Sequence, residues 1–366
     1  MRVMLPTLAY TIALSQFSCA RPAPSGRPLL LWHTFNSDET ETVNAILARA
    51  PARVQAVVVP FPRAFNTFRE AVGSGVGCPD VFRAEEAWVP ALAAEGLLDR
   101  RADGRLALPH SIDGLALLYN RDLVPVPPQT VDQLVEAASA AHREGRFGFF
   151  VRADAYWFLP FLYAYGGDLP DFDRHEVTID EPPAVRALTM YRSLLRSAPA
   201  PATANDYEEQ ERRFGAGQIA MILNGPWAVS ELLRRPAFAE KPDRLGIAPL
   251  WATPLSGHVY VVPRCATDKA AAWALAERLA APEAQAELGE RNGLVPANPK
   301  VAVQNPVVAA FRAAFRHGRQ RPAHPAMVLV FDDFTPAVQA VLRGDAEPAE
   351  ALAGVARAWR RLEAPR

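Results

Sequence analysis

A tryptophan presented at the end of a buried strand, with carboxylates placed elsewhere to meet a ligand beside it, is the pattern in this chain that could do chemistry. Residues 217–232 read GQIAMILNGPWAVSEL. Ile219 to Leu223 is an unbroken apolar run of strand length, which predicts burial on both faces of a parallel sheet rather than one wet face. Asn224 and Gly225 tolerate positive φ, and Pro226 suits a first helical position, so the run ends in a turn that leads into a helix from Ala228 to Arg234. Asn205 and Glu208 predict the cap of the preceding helix, which Gly215 and Gly217 stop. Trp227 thereby sits at the carboxyl end of a strand, where open α/β sheets bind ligands. Its flat face suits the C–H face of a ligand; packing in the core is the competing reading, because most of a tryptophan's value is buried area.

The carboxylates come next. Asp113, followed by Gly114, stands just ahead of the apolar strand Leu115 to Tyr119, where folding needs no acid. Asp154 opens the run DAYWFLP, in which it could equally be a helix N-cap with the aromatics in the core. Glu86 lies at a helix start, where a solvated first-turn carboxylate is favoured by the helix dipole and a ligand acceptor is the alternative. Asp113 and Asp154 are also the residue types of a glycoside hydrolase's acid and nucleophile, which would have to flank one bond at about 5 or 6.5–9.5 Å. No Gly-x-Ser-x-Gly elbow is present, and the glycines of 73–77 lack the lysine and spacing of a phosphate loop. The seven histidines show no ligand spacing. These observations predict neither metal nor cofactor.

The elements that must hold these residues are those of a two-lobed α/β protein. The chain has 366 residues, half of them hydrophobic, ample for two cores. With 39 Lys plus Arg against 40 Asp plus Glu and no basic run, nothing points to nucleic acid or an anionic membrane. The first twenty residues have a signal-peptide layout: Arg2, an apolar run from Val3 to Leu14, then Ser18-Cys19-Ala20. Cleavage after Ala20 gives a soluble exported protein; lipidation of Cys19, with a signal of 1–18, anchors it outside the membrane. Cys78 and Cys265 then remain, and the reading favours two free, buried thiols over a bridge. Strands are expected at Leu29–His33, Val54–Val59, Phe147–Val151 and Gly257–Val262. Helices are expected at Ser37–Ala50, Phe65–Val72, Thr130–Arg143, Asp268–Ala280, Pro282–Glu290, Met327–Leu342 and Pro348–Leu362.

From about residue 29 to the end the chain resembles the family 1 extracellular solute-binding proteins, among them the bacterial maltose-binding proteins. The strand and turn AGQIAMILNGPW resemble the segment with which that family presents a sugar-stacking Trp. The loop Thr34-Phe35-Asn36-Ser37 resembles its first sugar-contacting loop, and Pro79-Asp80-Val81-Phe82 with Gly96-Leu97-Leu98 its "PD, apolar strand, then GLL" signature, which places Arg83, Glu85 and Glu86 at the crevice. Asp113 takes the place of the first hinge-strand carboxylate, one carbon shorter than the glutamate common in maltose binders. Asp154, Tyr156 and the double glycine 166–167 match the family's cleft acid, cleft tyrosine and following glycines, and Phe331 matches a cleft aromatic. The resemblance implies two doubly wound α/β lobes joined by three crossings, 27–112 with 259–316 and 113–258 with 317–366, closing on a ligand. It implies a monomeric protein that binds a neutral carbohydrate and delivers it to the permease of an ABC importer, or that senses it. The lining is expected to be acidic, since an anionic ligand would want an arginine cluster.

Overall fold

The structure is a computed structural model and describes residues 26–198 and 206–362; the expected signal segment with Cys19, and the Asn205 cap, lie outside these residues. In chain order the elements are β1 Leu29–His33, α1 Ser37–Ala48, β2 Val54–Val58, α2 Phe61–Ser74, β3 Val81–Glu85, α3 Val89–Ala94, β4 Ala107–Asp113, β5 Ala116–Asn120, α4 Val131–Ala141, β6 Phe147–Phe149, α5 Ala155–Ala164 and α6 Pro182–Ser193. Then follow α7 Asp206–Gly215, β7 Ile219–Asn224, α8 Val229–Leu232, β8 Leu245–Ala248, β9 Thr253–Val261, α9 Lys269–Ala280, α10 Pro282–Asn292, β10 Val295–Pro296, α11 Pro306–Ala314, β11 Gly318–Gln320, α12 Val330–Arg343 and α13 Pro348–Leu362.

Two sheets result. The first has the order β10-β4-β9-β3-β1-β2, with β11 pairing β9, and the second β6-β7-β5-β8. In the first sheet β1 runs parallel to β2 and β3, while β9 is antiparallel to both β3 and β4. In the second, β7 is parallel to β6 and antiparallel to β5, so its all-buried run comes from helices on both faces and not from an all-parallel sheet. One core packs α1, α9 and α10 on the first sheet and another packs α2 and α3 on its opposite face. The largest core gathers α4, α5, α6, α12 and α13 on the second sheet. Helix α11, within the expected share of the first lobe, instead buries Phe311 and Ala314 among Ile222, Val229 and Leu245 of the second.

Local chemistry sets the helix ends. Thr130 and Asp154 accept from backbone N–H groups of the turns they cap, and Gly75, Gly293 and Gly344 end α2, α10 and α12 with φ of 72°, 75° and 81°.

The lobes are joined at 113–115, 249–252 and 318–324, and the crossings touch one another. Leu115 N–H donates to Thr253 Oγ1 (2.8 Å), and β11 pairs with the first three residues of β9. A Cβ at Gly114 would lie 2.9 Å from a Phe315 ring carbon and 3.0 Å from the Pro254 carbonyl oxygen, so only glycine lets the crossings come this close.

Cys78 and Cys265 form a disulfide across 187 residues, with Cα atoms 6.4 Å apart, which overturns the expectation of free thiols. The physical reason is the pairing of β3 with β9, in which Phe82 faces Val261. The loop entering β3 and the turn leaving β9 therefore meet at one sheet edge.

Candidate functional site

Strand β7 delivers Trp227 to the junction of the lobes. Its last residue, Asn224, accepts from the Gly225 N–H through its own side chain (2.9 Å), which tightens the turn before the short 3-10 helix of Pro226–Ala228. The indole lies across Gly225, where any Cβ would collide with the ring. Trp227 is half-buried; its Nε1–H donates to the Tyr207 hydroxyl (3.0 Å) and its carbonyl accepts from Asn36 Nδ2 of the first lobe (3.2 Å). The indole's one polar atom is thus satisfied by protein, which leaves its π surface for a ligand. Behind it, Tyr207 and Asn224 hydrogen-bond Glu211, whose carboxyl burial raises to about 7.

The start of α5 supplies the second group. Asp154 Oδ1 accepts from the Tyr156 N–H (2.8 Å) as an N-cap, and Oδ2 lies 3.8 Å from Arg152. Trp157 Nε1–H donates to the Leu223 carbonyl at the end of β7 (2.9 Å), and the Arg152 guanidinium lies 4.0 Å over its ring. Tyr156 packs edge-on to Trp157 (5.3 Å) and to Phe331 of α12 (6.4 Å), both half-buried like itself. Its phenol pKa is raised, by burial first and then by Asp113, Tyr163 and Asp154, so the hinge carboxylate lies within electrostatic reach of the second lobe's tyrosine. Arg321, just past β11, sits 5.7 Å from the Tyr156 ring centre and pairs with Glu85.

The first lobe answers with a buried polar cluster. Arg83, 3% exposed on β3, donates from Nε to His110 Nε2 (2.8 Å) and from Nη1 to Thr34 Oγ1 (2.7 Å), and lies 4.0 Å over the Phe35 ring. An acceptor Nε2 makes His110 neutral, in keeping with a pKa that burial, then Arg83 and His258, hold well below the ordinary value. Asp113, 6% exposed, bonds His258 Nδ1 across the β4–β9 pair. Glu39, buried on α1, is raised to about 7 by burial, with Arg83 opposing, and burial followed by Arg83 lowers His33 to about 4.

The predicted residues fall into two groups. Where the lobes join, Tyr156 packs on Phe331 within electrostatic reach of Asp113, and Trp227 is linked to them through Tyr207 and Trp157. Asn36 and Asp154 are there too, but already engaged: Asn36 shares a capping box with Glu39 besides its bond to Trp227. Ser37 and Glu86 are exposed at the rim, with Gln320 Nε2 3.5 Å from Glu86. Arginines stand beside several of these carboxylates: Arg83 near Glu39 and Asp113, Arg152 near Asp154, and Arg321 against Glu85. Trp157, Tyr207 and Arg321 were missed as site residues. Tyr207 had a signal in its spacing of four from Glu211 on α7; Trp157 was hidden in an aromatic run that reads as core, and Arg321 in a polar crossing.

Comparison with known proteins places this geometry. The model of the bacterial extracellular solute-binding protein family matches residues 41–314. The maltotriose-binding protein of Pyrococcus abyssi (strain GE5 / Orsay) is 23% identical over 359 residues, covering 86% of this chain and 77% of that one. The GacH receptor of Streptomyces glaucescens GLA.O, solved unliganded and in complex with acarbose and an acarbose homolog, superposes with a TM-score of 0.85 at 29% identity, over 92% of this chain and 98% of that chain. The Thermus thermophilus maltotriose binding protein, bound with maltotriose, superposes at 0.78 with 23% identity, over 90% of this chain and 100% of that chain. At that identity the likeness is one of fold.

Proposed function

This chain belongs to the bacterial extracellular solute-binding proteins, and from that premise we propose that it captures a neutral carbohydrate between its lobes and delivers it to the permease of an ABC importer. It is a binding protein and not an enzyme. The observation that carries the sugar reading is the row of half-buried rings at the lobe junction, Phe331 on Tyr156, Tyr156 on Trp157, and Trp227 joined to Trp157 through Tyr207, with the Asp113 carboxylate within electrostatic reach of Tyr156. Flat rings take the C–H faces of a pyranose, and a fixed carboxylate takes hydroxyls by charge-assisted hydrogen bonds. Asp154, Asn36, Ser37 and Glu86 complete the lining and rim. The arginines are engaged by carboxylates, which leaves no free arginine cluster of the kind an anionic ligand would want. Relatives named for maltotriose and acarbose support the same class.

Capture works by closure. The two lobes part at the crossings 113–115, 249–252 and 318–324 and shut on the ligand, creating the surface that the permease reads. The working form is a monomer, free in the periplasm or held at the outer face of the membrane through Cys19.

The test is heat stability of the purified mature protein with a panel of neutral sugars. A ligand at about 100 times its Kd adds roughly 2.7 kcal/mol. A clear upward shift in Tm with at least one sugar is expected; no shift with any sugar, together with one from an amino acid or a metal ion, would end the carbohydrate reading.

A further inference from the structure

Glu211 is a buried carboxyl that ligand contact does not explain. It is 6% exposed on α7, whereas Glu209 of the same helix pairs with Arg212 and Arg213. Arg235, which draws on Glu211 electrostatically, forms its ion pair with Glu231 instead. Burial, with Glu231 adding to it and Tyr207, Arg235 and Asn224 opposing, raises the carboxyl to about 7. A group so placed costs stability, and a well-packed apolar side chain would serve the fold better.

What Glu211 holds are the two side chains that aim Trp227. It accepts from the Tyr207 hydroxyl, one turn back on the same helix, and from Asn224 Nδ2 at the end of β7 (3.4 Å). Tyr207 in turn accepts from the Trp227 Nε1–H (3.0 Å), and Asn224 Oδ1 accepts from the Gly225 N–H (2.9 Å) to set the turn under the ring. Burial and then Glu211 push the Tyr207 phenol well above its ordinary value, so it stays protonated. The relay therefore has one direction, indole N–H to phenol oxygen and phenol O–H to carboxylate. Tyr207 is itself clamped, edge-on to Trp157 (6.2 Å) with the Arg152 guanidinium 5.1 Å from its ring centre. An ionised Glu211 keeps the phenol O–H turned toward it and the phenol lone pairs toward the indole. Once protonated, it accepts more weakly and carries an O–H of its own that competes for the same phenol oxygen.

We propose that Glu211 and Tyr207 are positioning residues that fix the plane of the Trp227 ring for its ligand, and that proton uptake at Glu211 loosens that ring, so that sugar affinity falls as pH drops through neutrality. This rests on the carbohydrate reading and adds to it a control by pH from behind the site.

The indole N–H resonance of Trp227, identified by NMR as the one lost in Trp227→Phe, tests the anchorage without any sugar. In wild type it should move between pH 8 and pH 6 with a midpoint near that of Glu211, about 7, and in Glu211→Gln it should stay still. Glu39→Gln, which removes the first lobe's carboxyl also raised to about 7, should leave the movement in place. Calorimetric titration with maltotriose should show wild type binding roughly two- to fivefold more weakly at pH 6 than at pH 8, and Glu211→Gln should lose most of that dependence. Tyr207→Phe, which keeps the ring and the packing, should bind roughly three- to tenfold more weakly at pH 8. An indole resonance that ignores pH in wild type, one that still moves in Glu211→Gln, or Tyr207→Phe binding as wild type does would overturn the positioning role. Wild type that binds no sugar of the panel while its indole resonance titrates through Glu211 would end the carbohydrate reading and uphold the anchorage, so the two failures are distinct.

Discussion

Trp227→Ala is expected to weaken binding of the best sugar by roughly 2–4 kcal/mol, about thirty-fold to nearly a thousand-fold, while costing the unliganded fold much less. The turn that presents the indole is built from other residues: the Asn224 side chain, Gly225 and Pro226 remain, as does the cross-lobe bond from Asn36 to the Trp227 backbone carbonyl. What the truncation removes is a half-buried ring and one hydrogen bond to Tyr207, whose hydroxyl still has Glu211. A fully buried tryptophan would cost roughly 3–5 kcal/mol of folding stability, and half-burial should give about half of that or less. Urea unfolding without ligand and calorimetric titration on the same variant separate the two effects. A large loss of folding stability with an unchanged Kd would make Trp227 a packing residue and remove it from the site.

The parts of the molecule that were legible in its sequence are those fixed by neighbours along the chain. Strand β1 coincides with the apolar run Leu29–His33, and β7 with its turn follows from five consecutive apolar residues, Ile219 to Leu223, and an Asn-Gly-Pro stop. The Thr130 cap and the glycine stops were likewise local. What was illegible depends on partners far away in the chain. The disulfide exists because β3 and β9 pair across most of the sequence, and nothing near Cys78 announces Cys265. Asp113 was found from its position before a strand, but the partner that holds it, His258, comes from β9. Asp154 and Asn36 show the limit most clearly. Each was singled out as a ligand acceptor, and each is also a helix cap, a double use that sequence spacing does not resolve.

Side-chain bonds join the first lobe to the second lobe or its crossings in this structure. Asn36 bonds Trp227, Asp38 pairs with Arg234, and Glu85 pairs with Arg321, each joining the first lobe to the second lobe or its crossing. Two of the three use residues beside the proposed ligand contacts.

The second large effect is expected at Arg83, which no ligand need touch. Arg83→Met should lower unliganded stability by about 3–5 kcal/mol at pH 8, because breaking a buried charge cluster by removing one partner leaves the others uncompensated. Methionine keeps the length and apolar volume, so the loss reports charge and hydrogen bonds: those to His110 and Thr34, the contact with the Phe35 ring, and the attraction to Glu39 and Asp113. The pH dependence supplies the sign. Glu39 is raised to about 7 even with Arg83 opposing, so its ionisation costs stability as pH climbs from the unfolded carboxyl range; without Arg83 its pKa rises further and the cost at pH 8 grows. His33, His110 and His258 are held low partly by Arg83, which costs stability as pH falls below about 6.5; without Arg83 that cost shrinks. Both terms act in one direction: the deficit of the variant relative to wild type should be greatest at pH 8 and smaller at pH 5. Adding Glu39→Gln to Arg83→Met, which removes the stranded carboxylate, should recover part of the loss at pH 8 and little at pH 5. Urea midpoints of the three proteins at the two pH values decide it. A deficit that is small at pH 8, or that grows on acidification, would mean that Asp113 and Glu39 are not held by Arg83 and that the first lobe's side of the site is organised by His258 alone.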